Sequence, residues 1–282
     1  MKVLIIQSNG EHEANRHFRE CFALQRGFVK LGNKVDVWGA GHSNFKDPID
    51  FNAYDLIINL ENYDSGWVPS FASTTRPIKL LWVIDAHCRS MNPYMREFKK
   101  GEYDLILQAS RPYLNEHSIW FPNAYDDTLI KKRNVEKHHF LGFCGSVLNR
   151  QDSINLLKKR FNLKTDIWVL GDAMVNVVNS YKIHWNRNIS NDINYRSFET
   201  IGCGTVLCTN ANKQYLDLGF VDGENCILYT DTQDMIVKLK FYEDNEEELI
   251  TIAAKGLELA KSHTYFERAK TLNEIYNSRR GQ

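Results

Sequence analysis

The chain has 282 residues, 43% of them hydrophobic and 25% charged, and Lys plus Arg balances Asp plus Glu at 35 each. This composition describes a soluble, well-cored globular protein long enough for one large α/β domain or two of ordinary size. Zero net charge excludes a global field drawing the chain to nucleic acid or acidic lipid, although local patches remain.

The first residues, MKVLIIQSNG, hold too short an apolar run for a signal peptide and read as a strand. No run approaches the roughly 18 apolar residues of a membrane span. The expected location is the cytoplasm, or a host's cytoplasm if the source is viral. Cys21, Cys88, Cys144, Cys203, Cys208 and Cys226 are scattered and mostly flanked by apolar residues, which favours reduced core thiols over disulfides or zinc.

In chain order, residues 3–7 form the first expected strand, with Ser8-Asn9-Gly10 as its turn. Residues 13–31 place Ala14, Phe18, Cys21, Phe22, Gln25 and Val29 on one helical stripe. Strands follow at 34–38, 55–60, 79–84 and 104–108, with a short sixth at 118–121. Continuous apolar runs between helical segments favour a parallel sheet covered on both faces. An acidic pair and a basic run in residues 124–137 break the rhythm and mark a domain boundary. The alternation restarts with strands at 139–144, 166–170, 182–184, 206–209 and 226–229. Helices are expected at 150–160, from 172, up to about 201, and at 231–242, 245–261 and 264–278. The resulting organisation is a domain over 1–124, a linker over 125–137, a second domain over 138–265 and a terminal helix over 266–282.

Residues 196–210, RSFETIGCGTVLCTN, carry the chemistry. They read as a short helix bearing a carboxylate, a Gly-Cys-Gly turn and a buried strand. An acid at Glu199 can face the crevice at the carboxyl ends of a parallel sheet, where open α/β folds bind ligands. A nucleotide-using enzyme is the reading that follows. Gly145 and Ser146, between a strand and a helix, can offer amides to a diphosphate. Arg150 and Arg196 supply fixed positive charge, with a structural ion pair to Glu199 or Asp192 as the rival role of Arg196. His184 is a nucleotide-site candidate or a packed core residue, and Asn186 contacts the nucleotide or holds the following loop. Gly202 and Gly204 permit a tight helix-to-strand turn and close backbone approach. Tyr229 and Asp231 border the base or a domain interface. In the first half, Glu11, His12, Asp85 and His87 follow strands and are the candidate acid–base catalytic groups.

The second half resembles the carboxyl-terminal domain of family 1-type glycosyltransferases, nearest the spore-coat maturation glycosyltransferase-like branch. The matching series is FLGFCGSVLNR (140–150), DIWVLGD (166–172), KIHWNRNISNDINYRSFETIGCGTVLCTN (182–210), FVDGENCILYTD (220–231) and KSHTYFERAK (261–270). It covers residues 138–278; in the first half only the strand pattern and WVIDAH (82–87) are similar. The resemblance implies an α/β, GT-B-like fold of two Rossmann-like domains facing across a cleft. It further implies a nucleotide-sugar donor held mainly by the second domain, an acceptor approached from the first, and a last helix that crosses back. Glu199 matches the second Glu of the family's E-x7-E pattern, which takes the ribose hydroxyls, whereas Asn191 stands where the first Glu belongs.

The function so implied is transfer of a sugar from a nucleoside diphosphate sugar, UDP-sugar favoured, to a hydroxyl acceptor, with retention favoured; in an inverting enzyme Asp85 or a His of the first domain would be the base. No Asp-x-Asp segment lies near a suitable strand end, so a divalent metal is not expected to be essential and no other cofactor is required. A saccharide acceptor is favoured. Basic runs at Lys131-Lys132-Arg133 and Lys158-Lys159-Arg160 keep hydroxymethylated bases of viral DNA as the alternative, against which zero net charge counts. A Rossmann-type epimerase or oxidoreductase would need a glycine-rich loop after the first strand, where only Gly10 stands. A non-enzymatic nucleotide-binding module is the remaining reading.

Overall fold

The computed structural model describes residues 1–63 and 65–280. They divide into two compact units, one of Met1–Asn123 with the segment from Tyr265 onward, the other of Ala124–Thr264.

The first unit is built on β1 (Lys2–Ile6), α1 (Glu20–Lys30), β2 (Lys34–Trp38), β3 (Leu56–Leu60), β4 (Ile78–Val83), α2 (Ala86–Arg89), α3 (Asn92–Gly101), β5 (Leu105–Gln108) and β6 (Ser118–Trp120). Its six strands are all parallel, in the order β2-β1-β3-β4-β5-β6. β3 is buried along its whole length, as an unalternating apolar run predicts for a central parallel strand. Leu4, Ile6, Ile57, Leu81, Val83 and Ile106 pack one face of the sheet against Phe71, Tyr94 and Tyr103. The terminal helix, Tyr265–Arg280, lies on α1 in this unit. Gly27 makes that approach possible, since a Cβ there would come within 2.7 Å of the Tyr265 carbonyl oxygen. Arg268 fastens the helix by donating to the carbonyls of Pro122 (2.8 Å) and Asn123 (2.9 Å).

The single helix expected over 13–31 is instead a 3-10 helix, Glu13–Phe18, followed by α1, because Arg19 takes an extended backbone (ψ 153°) between them. The helical stripe runs through the break, which is why periodicity alone did not locate it.

The second unit contains β7 (His139–Cys144), α4 (Gln151–Phe161), β8 (Lys164–Asp166), α5 (Gly171–Asn179), β9 (Tyr181–Asn186), α6 (Tyr195–Gly202), β10 (Val206–Asn210), α7 (Lys213–Asp217), β11 (Ile227–Tyr229), α8 (Thr232–Asp244) and α9 (Glu246–Ala260). Five parallel strands run in the order β11-β10-β9-β7-β8. Leu141, Phe143, Ile183, Trp185, Val206 and Ile227 form the core beneath α4, α8 and α9. β8 ends at Asp166, so the strand expected over 166–170 is displaced towards the amino terminus. Trp168, with φ at +59° and 74% exposure, cannot continue a strand and turns the chain out of the sheet.

Residues 125–137, read from sequence as a linker, pack within this second unit. Tyr125 and Ile130 are buried, and Tyr125 N–H donates to the His263 carbonyl (3.1 Å). All six cysteines are free thiols, and only Cys88 is exposed.

Candidate functional site

In a parallel sheet the helices leave from the carboxyl ends of the strands, so loops and helix starts converge along that edge. In the second unit this edge carries α6. Phe198 and Ile201 are fully buried and seat the helix, leaving Arg196 and Glu199 as neighbours one turn apart. Their ion pair measures 2.9 Å between Arg196 Nη1 and Glu199 Oε2, and Glu199 is only 9% exposed. The helix closes through Gly204 at φ +63°, while a Cβ on Gly202 would stand 2.4 Å from the Tyr125 ring. The Gly-Cys-Gly segment thus supplies both a left-handed turn and a close approach.

His184 is fully buried. Its Nε2 accepts the Cys144 N–H (3.1 Å), and its Nδ1 meets Thr200 Oγ1 (2.7 Å), whose hydroxyl donates to the Arg196 carbonyl (2.7 Å). Burial, helped by the Arg196 charge, pushes its pKa down to about 3, so the ring is neutral. Both nitrogens are committed within the protein. His184 therefore ties α6 to the end of β7, the packed position that was one of its two expected roles.

Asn186 is likewise structural, donating to Asn194 Oδ1 (3.1 Å) and Ser197 Oγ (3.2 Å). It belongs to a network that sequence reading missed. Asn188 N–H donates to Asn210 Oδ1 (2.8 Å), Asn188 Nδ2 to the Tyr215 hydroxyl (2.8 Å), and Asn194 Nδ2 to Asn188 Oδ1 (2.8 Å). The density of Asn in residues 186–194 was the available signal. Together these amides hold the loop between β9 and α6. Asn191, in the same loop, is exposed.

The turn after β7 contains Gly145 and exposed Ser146, whose Oγ accepts the Leu148 N–H (3.3 Å). Arg150 braces this turn. Its Nε donates to the Arg187 carbonyl (2.9 Å) and its Nη1 to the carbonyls of Ser146 (3.2 Å) and Leu148 (3.3 Å). Burial pushes the Arg150 pKa down, and the charges of Arg187 and Arg196 push the same way against Asp192. Arg150 thus lies within electrostatic reach of both Arg187 and Arg196 on this edge. Arg187, the first residue after β9, was not singled out by sequence.

Beside them is a cavity of about 360 Å³ lined by Ser153, Arg187, Asn188, Asn210, Tyr229 and Asp231, among others. Tyr229 accepts from Trp185 Nε1 (3.0 Å), and Asp231 caps α8 through the amides of Gln233 (2.8 Å) and Asp234 (2.9 Å). Gly145, Ser146, Arg150 and Glu199 share the edge but do not line this cavity.

In the first unit, Glu11 and His12 are exposed after β1, and Asp85 and His87 are partly buried after β4. β3 lies between those two strands in the sheet, and its end supplies Glu61, a residue sequence analysis did not consider. Glu61 accepts the N–H groups of Ile84 (2.5 Å) and Asp85 (3.2 Å) and the hydroxyl of Tyr94. Burial raises its pKa to about 7, with the Asp85 charge adding to the rise. Its φ of +55° is in the left-handed region, which a Glu side chain rarely adopts. Glu61 therefore anchors the turn that presents Asp85 and His87. Among the described residues no three His, Cys, Asp or Glu side chains converge as metal ligands, and no helix is long and apolar enough to cross a membrane.

Residues 137–274 match the family model described as "Glycosyl transferase-like". A search of curated protein sequences finds no match. Solved structures give whole-chain likeness at low identity. Sucrose-phosphate synthase from Thermosynechococcus elongatus is 12% identical with a TM-score of 0.69, over 98% of each chain. HepE from Anabaena, solved with UDP and glucose, is 12% identical with a TM-score of 0.63, over 99% of this chain and 100% of that one. An alpha-glucosyltransferase solved with UDP and a DNA 13-mer containing an HMU base is 11% identical with a TM-score of 0.64, over 98% and 99%. With two parallel sheets of this kind the chain has the GT-B fold, and its residues 137–274 match a glycosyltransferase family.

Proposed function

We propose that the protein transfers a sugar from a UDP-sugar to a hydroxyl of a saccharide acceptor, with retention at the transferred carbon. The observation that carries this reading is the set of three guanidiniums, Arg150, Arg187 and Arg196, gathered with the Glu199 carboxylate on one carboxyl-terminal edge. Negative charge grows on the diphosphate as the glycosidic bond breaks. A guanidinium already fixed by carbonyl groups, as that of Arg150 is, stabilises that charge with little reorganisation. The Gly145 and Ser146 turn adds backbone amides. Glu199 accepts the ribose hydroxyls, giving up part of its pairing with Arg196, which then turns to the phosphates. No divalent metal is required by this donor set. Glu11, His12, Asp85 and His87 are the proposed acceptor-side groups, with the donor's own diphosphate receiving the acceptor proton.

Support for a UDP donor comes from the structural relatives solved with UDP. The relative solved with DNA supports a second reading, in which a hydroxymethylated base is the acceptor. Zero net charge favours the saccharide. Calorimetric titration with UDP tests the donor assignment. Glu199→Ala should weaken binding by about 1.5–3 kcal/mol, the range for losing hydrogen bonds to a charged group. Unchanged affinity in a folded variant would remove Glu199 from the site. Transfer from UDP-glucose to duplex DNA carrying hydroxymethylated bases, with none to saccharides, would reverse the acceptor order.

A further inference from the structure

We infer that the second unit holds another ligand site, a cavity at the amino-terminal edge of its sheet that takes a small amphipathic anion, one carboxylate or phosphate on an apolar body. The cavity measures about 550 Å³, within the range of small-molecule pockets. Lys137 lies just before β7, Lys182 near the start of β9 and Gly204 just before β10, and all three line it. The cavity is therefore at the opposite edge from Glu199 and the guanidiniums, and nothing in the proposed transfer uses it.

Its two walls differ in chemistry. One is the side of α9 formed by Leu249, Ile250, Ala253 and Leu257, where Ile250 is 68% exposed. The other carries Lys132, Lys137 and Lys182. Lys182 is neutralised by Glu246 at 2.7 Å. Lys137 is not matched in this way. Its ammonium donates to the carbonyls of Tyr181 (2.7 Å) and Asn179 (3.2 Å) and to Thr205 Oγ1 (2.9 Å), which are neutral acceptors. The charged groups acting on it are Cys203, which favours the ammonium when ionised, and Lys132, which opposes it. Glu136 also lines the cavity, but its side chain is 83% exposed beside His138. Burial, reinforced by Lys132, lowers the Lys137 pKa to about 8. All three N–H groups of this ammonium are already donated, so it acts on a ligand through its field; a positive charge held only by neutral oxygens, beside a like charge and an apolar wall, favours an anion with an apolar body.

The test is calorimetric titration of the full chain with decanoate and with decyl phosphate at pH 8, in two buffers of different ionisation enthalpy. Decanol and inorganic phosphate serve as controls. Expected is saturable binding of one anion per chain, at least tenfold tighter than either control. A bound anion raises the Lys137 pKa, so binding takes up a fraction of a proton at pH 8 and weakens as pH rises towards 10. Lys137→Met should abolish the proton uptake and weaken both anions at least tenfold. Ala253→Trp, which fills the cavity and leaves Lys137 in place, should abolish binding while retaining a cooperative melting transition. Absence of saturable binding, equal binding to Ala253→Trp, or binding without proton uptake would each overturn the assignment. Inorganic phosphate binding as tightly as decyl phosphate would overturn it too. None of these readouts depends on UDP, so the donor site and this one stand or fall separately.

Discussion

Replacing Glu61 by Gln should remove a pH dependence of stability built into the first unit. The carboxyl titrates at about 7 in the folded protein against an ordinary 4.5, because burial and the Asp85 charge disfavour the carboxylate. At about 1.4 kcal/mol per pH unit, that difference is worth up to about 3 kcal/mol. The sign follows from linkage. Between pH 4.5 and 7 the folded state binds more protons at this position than the unfolded state, so stability falls as pH rises through that window. The contribution is complete below pH 4.5 and lost above 7. Gln keeps an oxygen for the Ile84 and Asp85 amides and has no proton to lose. Urea unfolding of both proteins at intervals from pH 5 to 8 should show wild type losing roughly 2–3 kcal/mol relative to Glu61→Gln across the series. Groups that titrate elsewhere cancel in the difference. A difference constant to within about 0.5 kcal/mol would refute the burial argument.

Three further outcomes are expected. Arg150→Lys should lose most of the donor affinity and turnover that Arg150→Ala loses, because one ammonium cannot span the Arg187 and Ser146 carbonyls as the guanidinium does; steady-state kinetics with UDP-glucose reads this. Gly202→Ala should cost about 1–3 kcal/mol in chemical denaturation, since its Cβ would press on the Tyr125 ring, and a neutral result would show that the ring moves aside freely. Asn188→Ala removes the acceptor and donor linking Asn194 to Tyr215, so UDP affinity should fall more than global stability does, by calorimetry against thermal melting.

What was legible in the sequence was what depends on neighbours in the chain. β3 and β4 declared themselves because a strand buried on both faces is an apolar run, and the place of Glu199 on a short helix before a turn because helix, turn and strand follow in sequence. β8 was misplaced because Ile167, Trp168 and Val169 look like a strand although Trp168 is turned to solvent. Glu61 was illegible for a different reason. Its partners Ile84, Asp85 and Tyr94 are 23 to 33 residues away, and nothing local shows that its carboxyl is buried. The guanidinium cluster was half legible. Arg150 stood out beside a Gly-Ser turn, but Arg187 acquires its place only when β9 is laid next to β7.

Because the first unit takes the helix Tyr265–Arg280 from beyond Thr264, the second unit is an insertion within it. The insertion's two ends are stitched together, Tyr125 bridging to Thr264, and Arg268 holds the flanking carbonyls of Pro122 and Asn123. During synthesis the ribosome therefore delivers the second unit complete while the first still lacks the helix that covers α1. The half made first must be finished last. Until Tyr265–Arg280 emerges, the face of α1 around Gly27 has no cover, and a nascent chain stalled near Thr264 is the form most exposed to chaperones and to aggregation.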